Sequence, residues 1–265
     1  DLAVHVTNDF RSIEVGYTFR AETWGNGYAV ESVAALIERL WEDRRLLRVY
    51  GMLHPANRAS AQVLERVGMK FEGHTRLSFW GRGEGSDDWI YGMTREDWER
   101  WRDRPTGQPT AVALVAITSD NQREVAELET HHSQRSFVAP VRVSYGDALF
   151  PGDWDGMPVS PWMRAITADD EYAGFVMMHL SDDGSEPYLW RFLIDRNHQR
   201  RGIGRRALDL VVDACRTVGA NSMRVSWVPG RGSPEPFYLG YGFEPTGVMH
   251  DTELEARLRF PDFTR

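Results

Sequence analysis

Gln199-Arg200-Arg201-Gly202-Ile203-Gly204 stands between an aromatic-rich apolar run, Tyr188 to Ile194, and a stretch with helical spacing, Gly202 to Thr217. The first reads as a strand, so the glycines fall at a strand-to-helix turn. A helix start built from glycine leaves several backbone N–H groups unpaired and lets a ligand approach the main chain, which suits a pyrophosphate. Arg200, Arg201, Arg205 and Arg206 add positive charge at that point. The same features also fit a plain turn with solvated arginines. Gly202-x-Gly204-x-x-Ala207 meets the dinucleotide spacing as well, but that motif needs an acid at the end of the next strand. The next strand, Met223 to Val228, ends without one, and the dinucleotide reading fails.

Working outward, the turn belongs to a long internal repeat. Gly27 and Gly202 are 175 residues apart, and Gly68 and Gly242, like Gly73 and Gly247, are 174 apart. Repeated spacing over such a distance is harder to reach by chance than any single motif. Each copy reads as strand, glycine turn, helix, strand, helix, strand. The first has Ile13 to Phe19, the turn Gly25 to Gly27, the helix Val30 to Trp41, the strand Leu46 to Leu53 and the helix Ala59 to Val67. The second has Tyr188 to Ile194, Gly202 to Thr217, Met223 to Val228 and the segment Pro236 to Leu239. Ahead of its turn the second copy adds a strand (Val112 to Ile117), a helix (Asn121 to Thr130), a loop and a hairpin (Met163 to Ile166, Tyr172 to Leu180). The first copy has only 26 residues there. These features predict an α/β (α+β) fold of strands and helices, built twice, with the first unit incomplete at its N-terminus. The expected domains are 1–104, a linker at 105–111 rich in proline and glycine, and 112–265.

Composition narrows the function. The 265 residues hold 31 Lys plus Arg and 39 Asp plus Glu, a net charge of −8, which argues against broad nucleic-acid binding. One cysteine, Cys215, excludes an intramolecular disulfide and a cysteine-based zinc site; no metal is expected. There is neither a long apolar run nor a signal-peptide pattern, so the expectation is a cytoplasmic protein without membrane contact. His131 and His132 are adjacent, not one helical turn apart, and do not form a metal pair. Trp98 and Trp101 are expected to pack between domains.

Gln-x-x-Gly-x-Gly at 199–204, followed by Phe237-Tyr238-x-x-x-Gly242-Phe243, resembles the GNAT superfamily of acetyl-CoA-dependent N-acetyltransferases. The resemblance covers most of residues 112–258. Gln134-x-x-Phe137-Val138-Ala139-Pro140, Arg164-Ala165-Ile166, Gly174-Phe175-Val176 and Leu189-Trp190-Arg191-Phe192 resemble bacterial spermine/spermidine acetyltransferases. Residues 1–97 resemble a different branch, the acetyltransferases of ribosomal-protein N-termini, through Trp24-Gly25-Asn26-Gly27-Tyr28-Ala29-Val30-Glu31, Asn57-x-x-Ser60 and Gly68-Met69.

The resemblance implies two tandem GNAT units, each a mixed, mostly antiparallel sheet flanked by helices, with acetyl-CoA as cofactor, leaving as CoA. It implies cofactor contacts from Phe192, Leu193 and Ile194 and from Gln199, Arg200, Arg201, Gly202, Ile203, Gly204 and Arg205. In the first unit it implies contacts from Trp24, Gly25, Asn26, Gly27, Tyr28, Ala29 and Asn57. Tyr238 becomes the general acid, since a phenol near pKa 10 holds its proton at neutral pH and matches a thiolate leaving group; a packing tyrosine is the alternative. The repeat sets Leu64 opposite Tyr238 and sets Asn57 and Ser60 opposite Arg231 and Pro234. Asn57 and Ser60 also fit helix capping. Glu186 or a water relay remains open as general base. Glu124, Glu127, Glu129, Asp147, Asp153 and Asp155 favour a cationic acceptor. The expected reaction moves acetyl to a primary amine, a small polyamine or diamine. The alternatives are a protein N-terminus, an aminoglycoside-like drug, or a non-catalytic acyl-CoA-binding protein. A homodimer is left open.

Overall fold

The computed structural model describes all residues except 82, 155–156, 160, 181–183 and 261–265. Contacts divide the chain into Asp1–Arg104 and Pro105–Arg265.

In the first unit, β1 (Leu2–Val6) and β2 (Ser12–Tyr17) lead through the glycine turn into α1 (Tyr28–Leu40). Then follow β3 (Arg48–Leu53), α2 (Arg58–Arg66), β4 (Lys70–Gly81), β5 (Glu84–Thr94) and α3 (Arg95–Asp103). The sheet order is β1-β2-β3-β5-β4. Helix α1 turns Val33 and Ile37 inward at one-turn spacing, and they meet Val49, Leu64, Tyr91 and Met93 in a single core. Helix α3 ends just before the stretch expected to be a linker. A capping box between Thr94 and Asp97 starts it. Trp98 stacks on Trp41 with centroids 6.1 Å apart, and Trp101 also packs on this core, against Gly68. Both tryptophans, expected between the domains, thus pack on the core of the first unit.

The second unit starts with β6 (Val112–Ala116), α4 (Gln122–Ala126) and α5 (Val141–Leu149), followed by the two-residue strands β7 (Asp153–Trp154) and β8 (Met157–Pro158). The hairpin β9 (Pro161–Ala168) and β10 (Glu171–His179) leads to β11 (Tyr188–Ile194). Beyond the turn come α6 (Ile203–Thr217), β12 (Ser222–Trp227), α7 (Glu235–Tyr241), β13 (Glu244–His250) and β14 (Glu253–Arg259). The seven-stranded order is β13-β14-β12-β11-β10-β9-β6. Ala173 to His179 of β10 are all buried, because the strand is covered on both faces. Val176 and Met178 face the core of α6, while Phe175 and Met177 face α4 and α5.

The repeat is conformational as well as sequential. Gly25 and Arg200, one offset apart, have φ of 81° and 64°, and Gly27 and Gly202 have 82° and 76°. Gly27 and Gly202 each cap the helix that follows. Gly68 and Gly242 also share positive φ, 95° and 122°. Gly73 and Gly247 both sit where the ladder slips register. The shorter first sheet has counterparts for β10 to β14 and, among the described residues, none for β6, α4, α5 or β9.

Candidate active site

Strands β11 and β12 are parallel neighbours only at Tyr188–Arg224 and Leu189–Val225. Met177 pairs with Arg191 and Met178 with Leu189, so Trp190 is the extra residue of a β-bulge at the point where β11 leaves β12. Past it, the β12-facing edge of β11 has no ladder partner among the described residues, and the wedge holds a cavity of about 590 Å³. Strands β2 and β3 do the same: they pair only over Ser12 to Glu14.

Phe192, Leu193 and Ile194 wall this cavity, and Gln199, Arg200, Gly202, Ile203, Gly204 and Arg205 close its turn end. Alternation into the left-handed region at Arg200 and Gly202 curls the backbone into a concavity ahead of α6, whose first-turn N–H groups favour an anion. Arg200 and Arg205 are exposed there. Arg201 is not available with its side chain. It is 4% exposed, donates to the Gly107 carbonyl (2.9 Å) and to His198 Nδ1 (3.0 Å), and does not line the cavity. Arg206 donates to the carbonyls of Pro109 and Thr110. Asp169 accepts the N–H groups of Thr110 and Ala111 at 2.8 and 3.0 Å. The stretch read as a linker is thus tied onto the second unit. Gln199 turns inward, donating to Gln134 Oε1 (2.8 Å) and the Ile194 carbonyl (3.1 Å), and so braces the turn.

Tyr238 lines the cavity and is 6% exposed. Trp227 stacks on it at 5.4 Å, with Phe237 and Phe243 edge-on at 5.3 and 5.4 Å. Among the described residues its hydroxyl has no hydrogen-bond partner. Burial pushes its phenol well above the ordinary tyrosine range, so it carries its proton at every physiological pH. That state permits donation and excludes a base. Glu186 does not reach the cavity; Ser222, Arg224 and Arg257 occupy both its oxygens. Arg231 is exposed and outside the cavity lining.

Of the acidic residues expected near the acceptor, Glu124, Glu127, Glu129 and Asp147 do not line the cavity. Glu127 pairs with Arg142, Glu129 with Arg135 (2.8 Å) and Asp147 with Arg191 (3.5 Å). Glu124 is exposed; Asp155 and the Asp153 side chain lie outside the described residues. The charge argument for a polycation is therefore largely neutralised. The far end of the cavity is instead lined by Thr130, Gln134, Phe137, Val138 and Trp190. Cys215 is buried in the α6 core with its thiol pushed up to about 12 by desolvation. No metal-holding group of side chains occurs among the described residues.

In the first unit Trp24 and Tyr28 flank the turn, 67% and 51% exposed. Trp24 Nε1 donates to the Phe19 carbonyl (3.0 Å), and Asn26 closes on the Trp24 carbonyl (3.2 Å). Ala29 follows in the first turn of α1. Asn57 caps α2, its side chain accepting the Ser60 N–H, as capping alone would require. Tyr17 Oη donates to the Ser60 carbonyl (3.0 Å) and sits 2.9 Å from Ser60 Oγ. Leu64 is buried in the core and offers no proton.

Comparison with known proteins agrees with this geometry. Residues 3–70 match the model of an acetyltransferase (GNAT) domain, and residues 126–241 match that of the acetyltransferase (GNAT) family. Together the matches span more than half of the chain, which belongs to the GNAT superfamily and carries two of its domains in tandem. Similar curated proteins include the uncharacterized protein YkkB of Bacillus subtilis, 36% identical over 59 residues (22% of this chain, 34% of YkkB). The uncharacterized N-acetyltransferase YnaD of Bacillus subtilis is 28% identical over 85 residues (32% of this chain, 50% of YnaD). The chain thus spans half or less of these relatives. A solved structure of Mycobacterium smegmatis RimJ with CoA-disulfide is 26% identical, covering 37% of this chain and 55% of RimJ at a TM-score of 0.34. No helix among the described residues is long and apolar enough to cross a membrane.

Proposed function

We propose that this chain transfers the acetyl group of acetyl-CoA to a primary amine, and that the second unit carries the chemistry. The carrying observation is convergence: one cavity is bounded by the splayed edge of β11, the left-handed turn at Arg200 and Gly202, and the side chain of Tyr238, whose hydroxyl has no partner among the described residues. In this reading the pyrophosphate meets the α6 N-terminus with Arg200 and Arg205. The pantetheine lies along Phe192 to Ile194, with free N–H groups of the strand edge available to the thioester oxygen. Tyr238 gives its proton to the departing thiolate.

The acceptor proposed is a small molecule, a diamine or polyamine first. Its support is the resemblance carried by Gln134, Phe137, Val138, Leu189, Trp190 and Phe192, all of which line the cavity; the arginine-paired carboxylates withdraw the argument from charge. The first unit is proposed to hold cofactor at Trp24 to Ala29 without turnover, because a buried Leu64 stands where the second unit has Tyr238. Thiol release from acetyl-CoA against spermidine, short diamines, an aminoglycoside and an N-terminal alanine peptide tests the proposal. Release with spermidine or a diamine supports it. Release with the peptide alone moves the acceptor to a protein N-terminus, and silence with CoA still bound favours a binding protein.

A further inference from the structure

Three side chains without a role so far form a hydrogen-bonded chain along the splay. Tyr188, the first residue of β11, places its Oη 2.6 Å from Ser226 Oγ on β12. The Ser226 hydroxyl donates to Glu253 Oε2 at the start of β14. A serine hydroxyl has one hydrogen, and here it goes to the carboxylate, so Tyr188 is the donor to Ser226 and every bond points toward Glu253. Alternation along β12 sends Val225 and Trp227 into the core on the α6 side, where Tyr238 also packs, and turns Ser226 to the opposite face. Yet Ser226 and Tyr238 line the same cavity. The two hydroxyls thus reach the splay from opposite faces of the sheet, as an acid for one product and a base for the other substrate would have to.

We propose that Ser226 receives the proton of the acceptor ammonium while passing its own to Glu253, with Tyr188 as the positioning residue that orients the serine hydroxyl. This inference rests on the acetyl-transfer reading above. The acceptor arrives as R–NH3⁺. One N–H bond breaks, its proton moving to Ser226 Oγ as the serine proton moves to the Glu253 carboxylate. The freed lone pair forms the C–N bond to the thioester carbon, the C–S bond breaks, and the thiolate takes the Tyr238 proton. The attacking nitrogen loses a second proton, which restores Tyr238. The products are the N-acetyl amine, CoA thiol and one proton on Glu253, which is partly exposed and returns it to solvent.

The Tyr238 phenol on α7 faces Tyr188, and the charged groups facing Glu253 and Tyr188 are Arg191 on β11, Arg224 on β12 and His250, the ladder partner of Glu253 on β13. Each has another carboxylate: Arg191 has Asp147, Arg224 has Glu186 and Glu255, and His250 has Glu255 at 3.0 Å. Glu253 is the carboxylate given to Ser226.

Glu253→Gln keeps an oxygen that can accept from Ser226 but takes up no proton; Ser226→Ala removes the relay atom. Turnover is measured for both variants and wild type by thiol release from about pH 6 to 10, the upper end lying near the pKa of an alkyl amine, with CoA affinity followed by calorimetry. The expected result is a loss of kcat on the order of 100-fold at neutral pH in each variant, with CoA affinity unchanged. The deficit should shrink as pH rises and solution deprotonates the amine unaided. A structural defect would give the same factor at every pH, and that result overturns the path, as does a loss in Ser226→Ala with none in Glu253→Gln. Turnover in wild type matched by Glu253→Gln overturns the path alone. Bound CoA with no turnover in wild type overturns the transfer reading and the path with it.

Discussion

Tyr238→Phe removes one oxygen from the centre of the proposed mechanism and little else. The ring keeps its packing on Trp227, Phe237 and Phe243. The hydroxyl has no hydrogen-bond partner among the described residues, so none is broken, and the fold should lose under about 1 kcal/mol. The chemical effect is separate. A positioned general acid contributes roughly 100-fold or more, equivalent to about 2.7 kcal/mol in the barrier. Burial holds the phenol above the usual range; it stays protonated throughout the assay, so the deficit should be uniform from about pH 6 to 9. The assay is kcat by thiol release with the best amine, paired with calorimetric CoA titration and a thermal melt. A variant that turns over within about twofold of wild type would refute the acid role and leave Tyr238 as a packing residue.

Four further outcomes follow from the geometry. Arg200→Ala should weaken CoA roughly tenfold by removing one exposed phosphate partner, with the melt unchanged. Arg201→Ala should instead destabilise the second unit by about 2 kcal/mol, since it empties a buried donor that holds Gly107. Gly174→Ala should lower the unfolding midpoint of the second unit by roughly 5 °C, because a Cβ there would press on the Leu193 carbonyl oxygen well inside van der Waals contact. In the first unit, desolvation raises Tyr17 to about 12 against the Ser60 hydrogen bond. From about pH 10 upward the unfolded chain releases that proton before the folded one does, so stability present at lower pH declines by on the order of 2–3 kcal/mol by pH 12. Denaturant melts of Tyr17→Phe should lack that share of the decline.

Local rules made much of this legible. The strand Tyr188–Ile194 and the helix through Thr217 were readable residue by residue, because bulky side chains and an amphipathic stripe bracket a turn that glycine must make. The turn's conformation is repeated 175 residues away, at Gly25 and Gly27, which is why the spacing alone exposed two units. Helix α5 was missed because only Val141 and Ser144 are buried on it, leaving no apolar stripe to read. Helix α4 is shorter than the expected Asn121 to Thr130. The edge strand β1 was also missed; all five residues are exposed, and pairing with β2 defines it.

Tyr238, Gly202 and Gly204 were legible as positions that share one cavity, from residue type and neighbours. The site was not readable where function depends on a distant partner. The burial of Arg201 is set by Gly107, 94 residues away, and the inward turn of Gln199 by Gln134, 65 residues away. Ser226 was overlooked because serine in a strand signals nothing until β14 brings Glu253 beside it. Glu127 and Asp147 misled for the same reason, since their arginine partners, Arg142 and Arg191, lie on other elements.

The most direct test of the account follows the acetyl group itself. The full chain is incubated with acetyl-CoA labelled in the acetyl carbons and an amine panel, and the products of wild type and Tyr238→Phe are resolved by mass spectrometry. The account predicts label on the nitrogen of at least one primary amine with wild type, greatly reduced in the variant, with CoA thiol formed in equal amount. Label that stays on CoA, or leaves only as free acetate with every amine, would contradict it.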